Sequence, residues 1–333
     1  MPNPRFSFET VAPRLIAKYC LPTINGMQSL TTPFINRLAI YCRERFPLPT
    51  YGLMSCLFAV AGLSLASSLR AGHVELHLGS TVCAVVVTLG LFFQLRILDE
   101  YKDRENDAMY LPERPVPRGL VSLKELFLLG AAIGILQLAI CLHAFSLAGI
   151  FPLLALLATW FYMYLMTREV FAPEYLKERP LLYMLSHMFI MLFIDFFITS
   201  FDFGKSGHIP SLLIFFYAAS FFNGMAVELG RKIVAPQNQR AGIVSYSQLL
   251  GLRPAFLVLF AVVLMSQVCL TLTGAIGPLK AIALAACDLV FAFASLRALN
   301  KFAKQNESTI IEKTAGALAN VAVLVGYLLI TFN

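Results

Sequence analysis

Long apolar stretches, separated by short polar segments, follow one another along most of the chain. Nine of them have the length that a helix needs to cross the hydrocarbon core of a bilayer, about 20 residues. Polar side chains inside these stretches are few, as the absence of water in a bilayer requires of a spanning helix. The pattern therefore predicts nine transmembrane helices, at residues 51–69, 80–98, 123–142, 146–166, 181–201, 211–229, 254–274, 279–296 and 315–332.

The beginning of the chain has a different pattern, in which prolines and basic residues interrupt short apolar pieces. This alternation predicts one or two helices that lie at the membrane interface before the first span. No apolar h-region of the kind found in signal peptides follows the first residues. We therefore expect a single membrane domain over residues 1–333, made of an interfacial segment at 1–50 and a nine-helix bundle at 51–332.

Composition supports the same class of protein. Of the 333 residues, 58% are apolar and only 14% are charged, whereas a soluble domain carries about 25% charged residues. A soluble chain of this size could not hide so much apolar surface behind so few charges. The same numbers exclude a disordered chain and a coiled coil, which both need more charge. The fold class that remains is an all-α polytopic membrane protein.

The basic residues are distributed unequally between the two sides of the membrane. With the N-terminus inside, 23 of the 26 Lys and Arg residues fall on the cytoplasmic side, and only Arg70, Lys205 and Lys280 fall on the other. This excess is the positive-inside pattern of membrane proteins, and it supports both the nine-span count and a cytoplasmic N-terminus, in the cell (inner) membrane. The net charge of +7 therefore reflects orientation and gives no reason to expect a nucleic-acid partner.

The acidic residues also gather on the predicted cytoplasmic side, which holds 15 of the 19. Asp99, Asp103 and Asp107 follow the second span at i, i+4 and i+8, a spacing that places three carboxylates on one face of a helix. Like charges in such a row repel unless a positive group lies between them. Oxygen ligands favour Mg²⁺ or Ca²⁺, and Mg²⁺ usually binds together with phosphate oxygens. The alternative is a solvated helix end that is neutralised by Lys102 and Arg104.

A second polar segment follows the sixth span, where the chain reads N-G-M-A-V-E-L-G-R-K from Asn223 to Lys232. Glu228 and Lys232 are again four residues apart, on one face of the predicted helix. Because four spans separate the two polar ends, both fall on the same side of the membrane. The repeat of a polar end after four helices suggests an internal duplication of a four-helix unit.

The first polar segment resembles a known motif. Residues 99–107 read D-E-Y-K-D-R-E-N-D, and R-P-V-P-R-G follows from Arg114. This arrangement resembles the UbiA superfamily of intramembrane prenyltransferases, which have nine transmembrane helices and two Asp-rich motifs on cytoplasmic loops. Their first motif is N-D-x-x-D-x-x-x-D followed by R-P-x-P-x-G, and the spacing is most similar to the chlorophyll-synthase and homogentisate branch. The resemblance implies that Asp103 and Asp107 bind Mg²⁺, with Asp99 in place of the usual Asn.

Two further elements are compared with the family. Tyr164 to Arg168, at the end of the fourth span, is similar to the family's Tyr-x-x-x-Lys element, whose cation contacts diphosphate. The second motif departs from the family's D-x-x-x-D and nearby Gly, because Lys232 follows Glu228 and the next suitable glycine is Gly242. A lysine cannot bind Mg²⁺ but can bind phosphate as a point charge. Either the site has one metal or a rearranged set of cations, or the chain is a derived paralogue with different chemistry.

The function that the resemblance implies is Mg²⁺-dependent transfer of a prenyl group from a prenyl diphosphate to a hydrophobic, aromatic acceptor within the lipid bilayer. Positive charge would stabilise the leaving diphosphate, and a dry cavity lined by aromatic rings would protect the allylic cation. The expected catalytic and metal-binding residues are Asp99, Asp103, Asp107 and Glu228; the diphosphate-binding residues are Arg104, Arg114, Arg168, Arg231 and Lys232; the acceptor or cavity residues are His187, Tyr164 and Asn223.

Three alternatives remain open on the sequence. A UbiA-type terpene cyclase would ionise the same donor and let the cation close on itself. A membrane transporter would need acidic residues along a path through the bilayer, and away from the span ends the predicted spans contain only the acids Asp195 and Asp288. A non-catalytic protein that binds isoprenoid diphosphate is the third, since Lys232 alters the second motif.

Overall fold

The computed structural model describes residues 33–240, 242–305 and 307–331, and in these ranges the regular structure is entirely helical. The predicted all-α class is therefore confirmed. The first 32 residues of the expected interfacial segment lie outside the described residues. The helices are α1 (Phe34–Arg45), α2 (Leu48–Ala71), α3 (Leu78–Lys102), α4 (Arg104–Tyr110), α5 (Leu123–His143), α6 (Phe145–Ala148), α7 (Phe151–Thr167), α8 (Pro173–Lys177), α9 (Pro180–Met188), α10 (Ile190–Phe203), α11 (Leu213–Lys232), α12 (Tyr246–Leu250), α13 (Leu252–Leu272), α14 (Pro278–Gln305) and α15 (Thr309–Thr331).

Eight helical segments of the described chain are long and apolar enough to cross a membrane: α2, α3, α5, α9 with α10, α11, α13, α14 and α15. The remaining predicted span, 146–166, corresponds to α7, which is apolar but has only 17 residues. It begins later than the expected 146–166 because Gly149 interrupts the helix with a φ of 70°. The count of nine therefore consists of eight full-length spans and one short helix.

The other helices also differ from their predicted bounds by one to nine residues, and two of these differences affect the architecture. The expected span 279–296 is part of a helix that continues to Gln305, because Ala, Leu, Asn and Lys extend the helical backbone after the apolar stretch ends. The expected span 181–201 is divided between Met188 and Ile190 into α9 and α10. Apolar stretches mark where a helix meets lipid, whereas the backbone can remain helical in water.

The bundle closes on itself because the first and last spanning helices, α2 and α15, pack against each other. Helix α10 packs against α2, α7 and α11, and α11 packs against α13 and α15. Small residues allow these close approaches: a Cβ at Gly230 would lie 2.6 Å from the Cβ of Ala319 on α15. Buried aromatic rings fill the interior, and the ring centroids of Phe58 and Tyr327 are 5.2 Å apart.

Helices α3, α7, α11 and α14 end on one side of the bundle, where α5, α9, α13 and α15 begin; this side is named the charged end. The described Lys and Arg residues lie there except for the three that the sequence places on the opposite side. One of those three, Arg70, forms 2.9 Å bonds to both carboxylate oxygens of Asp202. The chain order of the helices thus agrees with the charge asymmetry of the sequence.

Helix α1 attaches to the charged end through an ion pair and aromatic contacts. The Arg45 Nε atom lies 2.8 Å from Oε1 of Glu100, whose side chain is only 1% exposed, and Arg96 lies 3.5 Å from the same oxygen. The ring of Phe46 packs edge-on against Phe93, with centroids 4.9 Å apart. A buried carboxylate of this kind is tolerated only while a cation faces it.

We expect Arg45→Met to destabilise the protein, because Glu100 keeps only the longer contact to Arg96. The expected cost is about 2 kcal/mol, measured as a lower Tm in detergent micelles. Arg43→Met is the matched control, since Arg43 lies on the same helix with an exposed side chain. Equal Tm values for the two variants would contradict the role given to the buried pair.

Candidate functional site at the charged end

The three acidic residues of the first motif lie where α3 passes into α4. Asp103 joins the two helices, with φ −88° and ψ 4°. Hydrogen bonds from the Asp103 amide to the Asp99 carbonyl (2.9 Å) and from the Asp107 amide to the Asp103 carbonyl (2.7 Å) continue the helical pattern. The predicted spacing of one turn between carboxylates is therefore kept, although the helix is interrupted at its middle member.

The three carboxylates have different surroundings. Asp107 is buried, and Nη1 of Arg114 lies 2.7 Å from both of its oxygens. Asp99 is 40% exposed and lies 3.6 Å from Nζ of Lys102. Burial raises the pKa of Asp103, the neighbouring Asp99 and Asp107 add to the rise, and Lys102 opposes it. Of the three carboxylates, Asp103 is therefore the one whose charged form a bound cation would stabilise most.

In the second motif, one carboxylate is held by two cations. The Glu228 side chain is 13% exposed, and Nζ of Lys232 lies 2.6 Å from its Oε1 atom. Arg231 donates a hydrogen bond to the other carboxylate oxygen. The spacing of three and four residues on the last turn of α11 brings all three side chains together. Lys232 thus neutralises Glu228 at the position where the family has a second acid.

Beneath these charges, two aromatic rings form the base of the site. Nζ of Lys102 lies 5.0 Å from the ring centroid of Tyr183, and this ring stacks on His187 with centroids 3.9 Å apart. Nδ1 of His187 lies 2.9 Å from the Tyr183 carbonyl. Because a carbonyl only accepts, Nδ1–H is the donor and Nε2 of the neutral ring carries the lone pair. Nε2 is buried and has no hydrogen-bond partner among the described residues.

The wall next to His187 consists of sulfur-containing side chains over a glycine. A Cβ at Gly224 of α11 would lie 2.8 Å from Sδ of Met188 and 3.2 Å from Cγ of Met191. The absence of a side chain at Gly224 therefore lets both methionines approach the helix. Their thioether chains are flexible and fill irregular space.

Electrostatic contacts join the two motifs into a single site. Arg231, which pairs with Glu228, also interacts electrostatically with Asp99 of the first motif. On α12, burial raises the pKa of Tyr246, and the Glu228 charge adds to this rise. Tyr246 also lies near Lys232, with Nζ 6.0 Å from its ring centroid. We define the charged cluster as Asp99, Lys102, Asp103, Asp107, Arg114, Glu228, Arg231 and Lys232.

The connecting segments after α3 and α11 also touch directly. Nη1 of Arg240 lies 2.9 Å from Oε1 of Glu113, and this pair lowers the pKa of Glu113 through a hydrogen bond from Arg240. Gly242 adopts a φ of +75°, and a Cβ at this position would overlap the ring of Tyr110. A glycine is therefore required at position 242, after the second motif, because it lets the Tyr110 ring at the end of α4 lie against the backbone.

The first and second motifs differ in how well they fit Mg²⁺. Within residues 33–240, 242–305 and 307–331, no three His, Cys, Asp or Glu side chains lie close enough together to hold a metal ion. Asp103 has no ion pair in this part of the chain and supplies oxygen ligands beside Asp99, so the first motif fits a hard cation. The second motif does not, because Arg231 and Lys232 already occupy the Glu228 oxygens.

Several predicted residues lie outside the cluster. Arg104 and Arg168 are exposed, and Tyr164 is half exposed, with its ring 5.8 Å from the Arg168 guanidinium. Tyr162 faces the interior instead, and its hydroxyl donates to the Ser186 carbonyl at 2.5 Å.

Asn223 lies deeper in the bundle, buried, where Oδ1 accepts a 2.7 Å hydrogen bond from Ser266. It is placed below the charges, as a cavity residue would be. The sequence reasoning missed Lys102 as part of the site and missed Tyr183 and Tyr246 entirely. The only local signal for Tyr183 is its position one helical turn before His187.

The architecture and the site together define a polytopic, all-helical membrane protein with an acidic and basic centre at one end of its bundle. The chain belongs to the UbiA prenyltransferase family, whose sequence model matches residues 55–321. A search of curated proteins finds no match to this chain.

Solved structures of similar fold are distant in sequence. An apo UbiA homologue from Aeropyrum pernix K1 has a TM-score of 0.59 at 17% identity, covering 83% of this chain and 96% of that one. A digeranylgeranylglyceryl phosphate synthase has a TM-score of 0.57 at 17% identity, covering 89% and 98%. A UbiA homologue from Archaeoglobus fulgidus, bound to GPP and Mg²⁺, has a TM-score of 0.48 at 14% identity, covering 87% and 99%. The first two similarities support the fold.

We expect Gly242→Ala to separate the two connecting segments, because its Cβ would overlap the Tyr110 ring. Gly119→Ala is the matched control: Gly119 has a φ of +76°, but no atom lies within 4 Å of an added Cβ. Both variants carry the strain of a left-handed alanine, about 1 kcal/mol. Hydrogen exchange over residues 233–245 should increase only in Gly242→Ala. Tyr110→Ala in the same chain removes the ring that the new Cβ would overlap, so it should remove the part of this increase that the overlap causes. Equal exchange in the two glycine variants would contradict the contact.

Proposed function

We propose that the chain transfers a prenyl group from a prenyl diphosphate to a hydrophobic, aromatic acceptor in a Mg²⁺-dependent reaction within the membrane. The observation that carries this proposal is the charged cluster, which joins carboxylates and cations of both motif helices directly above the stacked rings of Tyr183 and His187. Membership of the UbiA prenyltransferase family supports the reaction class. We further propose that the charged end and the N-terminus face the cytoplasm, in the cell (inner) membrane.

The cluster offers two kinds of group to a diphosphate. Arg114 and Arg231 present forked donors that match phosphate oxygens, whereas Lys102 and Lys232 act as compact charges. Asp103, beside Asp99, would hold Mg²⁺, which would neutralise charge on the leaving diphosphate, whereas both oxygens of Asp107 are bound by Arg114. Arg104 and Arg168 are exposed nearby and would contribute only by moving toward the substrate.

The reaction begins when the bond between the allylic carbon and the diphosphate oxygen breaks, and the electron pair leaves with the diphosphate. Fixed cations of the cluster stabilise this leaving group at the moment that its charge develops. The allylic cation then lies beside the aromatic faces of Tyr183 and His187, whose ring centroids are 3.9 Å apart. Such faces stabilise cations and exclude water.

The acceptor completes the reaction when π electrons of its ring form the new carbon–carbon bond. The ring proton then leaves to a base, and we assign this role to Nε2 of His187. That atom is buried, faces no other partner among the described residues and has its lone pair free because Nδ1–H is bound to the Tyr183 carbonyl. The position of a general base at the boundary between charges and rings suits both halves of the reaction.

The decisive test is incubation of purified protein with prenyl diphosphates of graded length, with and without aromatic acceptors, followed by mass spectrometry. We expect an acceptor adduct that forms with Mg²⁺ and disappears with EDTA. Asp103→Asn should lower turnover by roughly 10²–10³-fold, while Glu105→Gln, an exposed acid on α4, should leave it unchanged. A cyclic product from the donor alone would identify a terpene cyclase, and an unconsumed donor would favour a non-catalytic binder or a transporter.

Removal of the proposed base should separate the two halves of the reaction. We expect His187→Gln to slow acceptor prenylation by about 10²-fold, while slow hydrolysis of the donor continues because the diphosphate cluster is intact. His143→Gln is the control, since His143 is exposed at the opposite end of the bundle. Equal loss of donor hydrolysis and of transfer would show that His187 acts on ionisation instead.

A further inference from the structure

The charged cluster contains more cations than a centre built only from acids and metals would need. Lys102 faces Asp99, Arg114 binds Asp107, and Arg231 and Lys232 both bind Glu228. Four carboxylates therefore share the site with four fixed cations of the chain. A diphosphate entering this cluster therefore meets Arg and Lys donors of the chain before any metal is added.

The first and second motifs differ in the carboxylate oxygens that remain available to a metal ion. At the first motif, Asp103 is without an ion pair in the described part of the chain and can coordinate a hard cation. At the second motif, Nζ of Lys232 lies 2.6 Å from Oε1 of Glu228, and Arg231 binds Oε2. A divalent ion there would have to displace both cations and would remain next to the ammonium group of Lys232.

Both cations of α11 can reach a phosphate without leaving Glu228. The Arg231 and Lys232 side chains are 57% and 37% exposed, whereas Glu228 is only 13% exposed. An ammonium group has three donors and a guanidinium has five. One donor of each is used by Glu228, so further donors of these partly exposed side chains are available to an incoming anion.

We propose that this chain binds its prenyl diphosphate with a single Mg²⁺ at the first motif, and that Arg231 and Lys232 replace the second metal ion. The proposal rests on the proposed function, since it assumes that the cluster binds prenyl diphosphate. Lys102 is a third fixed cation, held between Asp99 and the Tyr183 ring with a side chain that is 15% exposed. Glu228 positions the two cations of α11 and does not ligate metal.

A metal count tests this without any altered residue. The full-length protein in detergent is saturated with geranyl thiolodiphosphate, a donor analogue that does not ionise, and titrated with Mn²⁺ under electron paramagnetic resonance. We expect one Mn²⁺ per chain whose binding depends on the analogue. Lys232→Asp, which restores two acids four residues apart, should raise the count to two. Two analogue-dependent ions in the unaltered protein would overturn the proposal.

Direct binding of the same analogue gives an independent measurement. At saturating Mg²⁺, Lys232→Met should weaken the analogue's Kd about tenfold, as the loss of one charge-assisted hydrogen bond would. Lys304→Met is the matched control, because Lys304 is exposed at the charged end outside the cluster. Unchanged affinity in Lys232→Met would overturn the proposal.

These measurements distinguish failure of the single-metal site from failure of the proposed function. If the analogue binds the unaltered protein together with two metal ions, the proposed function stands and only the single-metal site is wrong. If the analogue does not bind under any metal condition, the proposed function is wrong and the single-metal site is wrong with it.

Discussion

Neutralisation of carboxylates at the edge of the membrane is the constraint on which the charged end depends. A buried acid costs several kcal/mol unless a cation faces it, and three acids of this end that are shielded from water face one. Glu100 faces Arg45, Asp107 faces Arg114 and Glu228 faces Lys232. The first two pairs also tie α1 to α3 and α4 to the segment that follows it, so that the electrostatic requirement contributes to the shape of the site.

Asp103 is the exception, and the exception is informative. It lies at the junction of α3 and α4 without an ion pair in the described part of the chain, and burial raises its pKa. A carboxylate whose charged form is disfavoured by burial is stabilised by a cation that binds to it. Unfavourable charges of this kind are concentrated at functional sites.

The class of protein and the side of the site follow from the sequence because both depend on simple physical quantities. Apolar length determines which segments can enter lipid, and the distribution of Lys and Arg determines their direction. Helix ends are harder to predict, since α14 remains helical to Gln305 long after its apolar stretch ends. The spacing of the first motif predicted which acids gather, because one helical turn separates them.

The partners of those acids could not be predicted in the same way. Lys102 could turn to water or to the interior, and only the Tyr183 ring, which belongs to a distant helix, decides between them. Tyr164 was expected at the site, yet Tyr162 faces inward. Side chains two residues apart on a helix point in directions about 200° apart. Helix α7 is too uniformly apolar for its inward face to be recognised from sequence.

The methionine wall over Gly224 has a consequence for how such a site could change. Met188 and Met191 follow His187 closely in the chain and contact Gly224, but they carry no charge and bind no phosphate. Because thioether chains rearrange at little cost, this part of the bundle is malleable, whereas ion pairs hold the side chains of the charged cluster. Substitutions at these two positions could therefore adapt the protein to a different acceptor and leave the recognition of the donor intact.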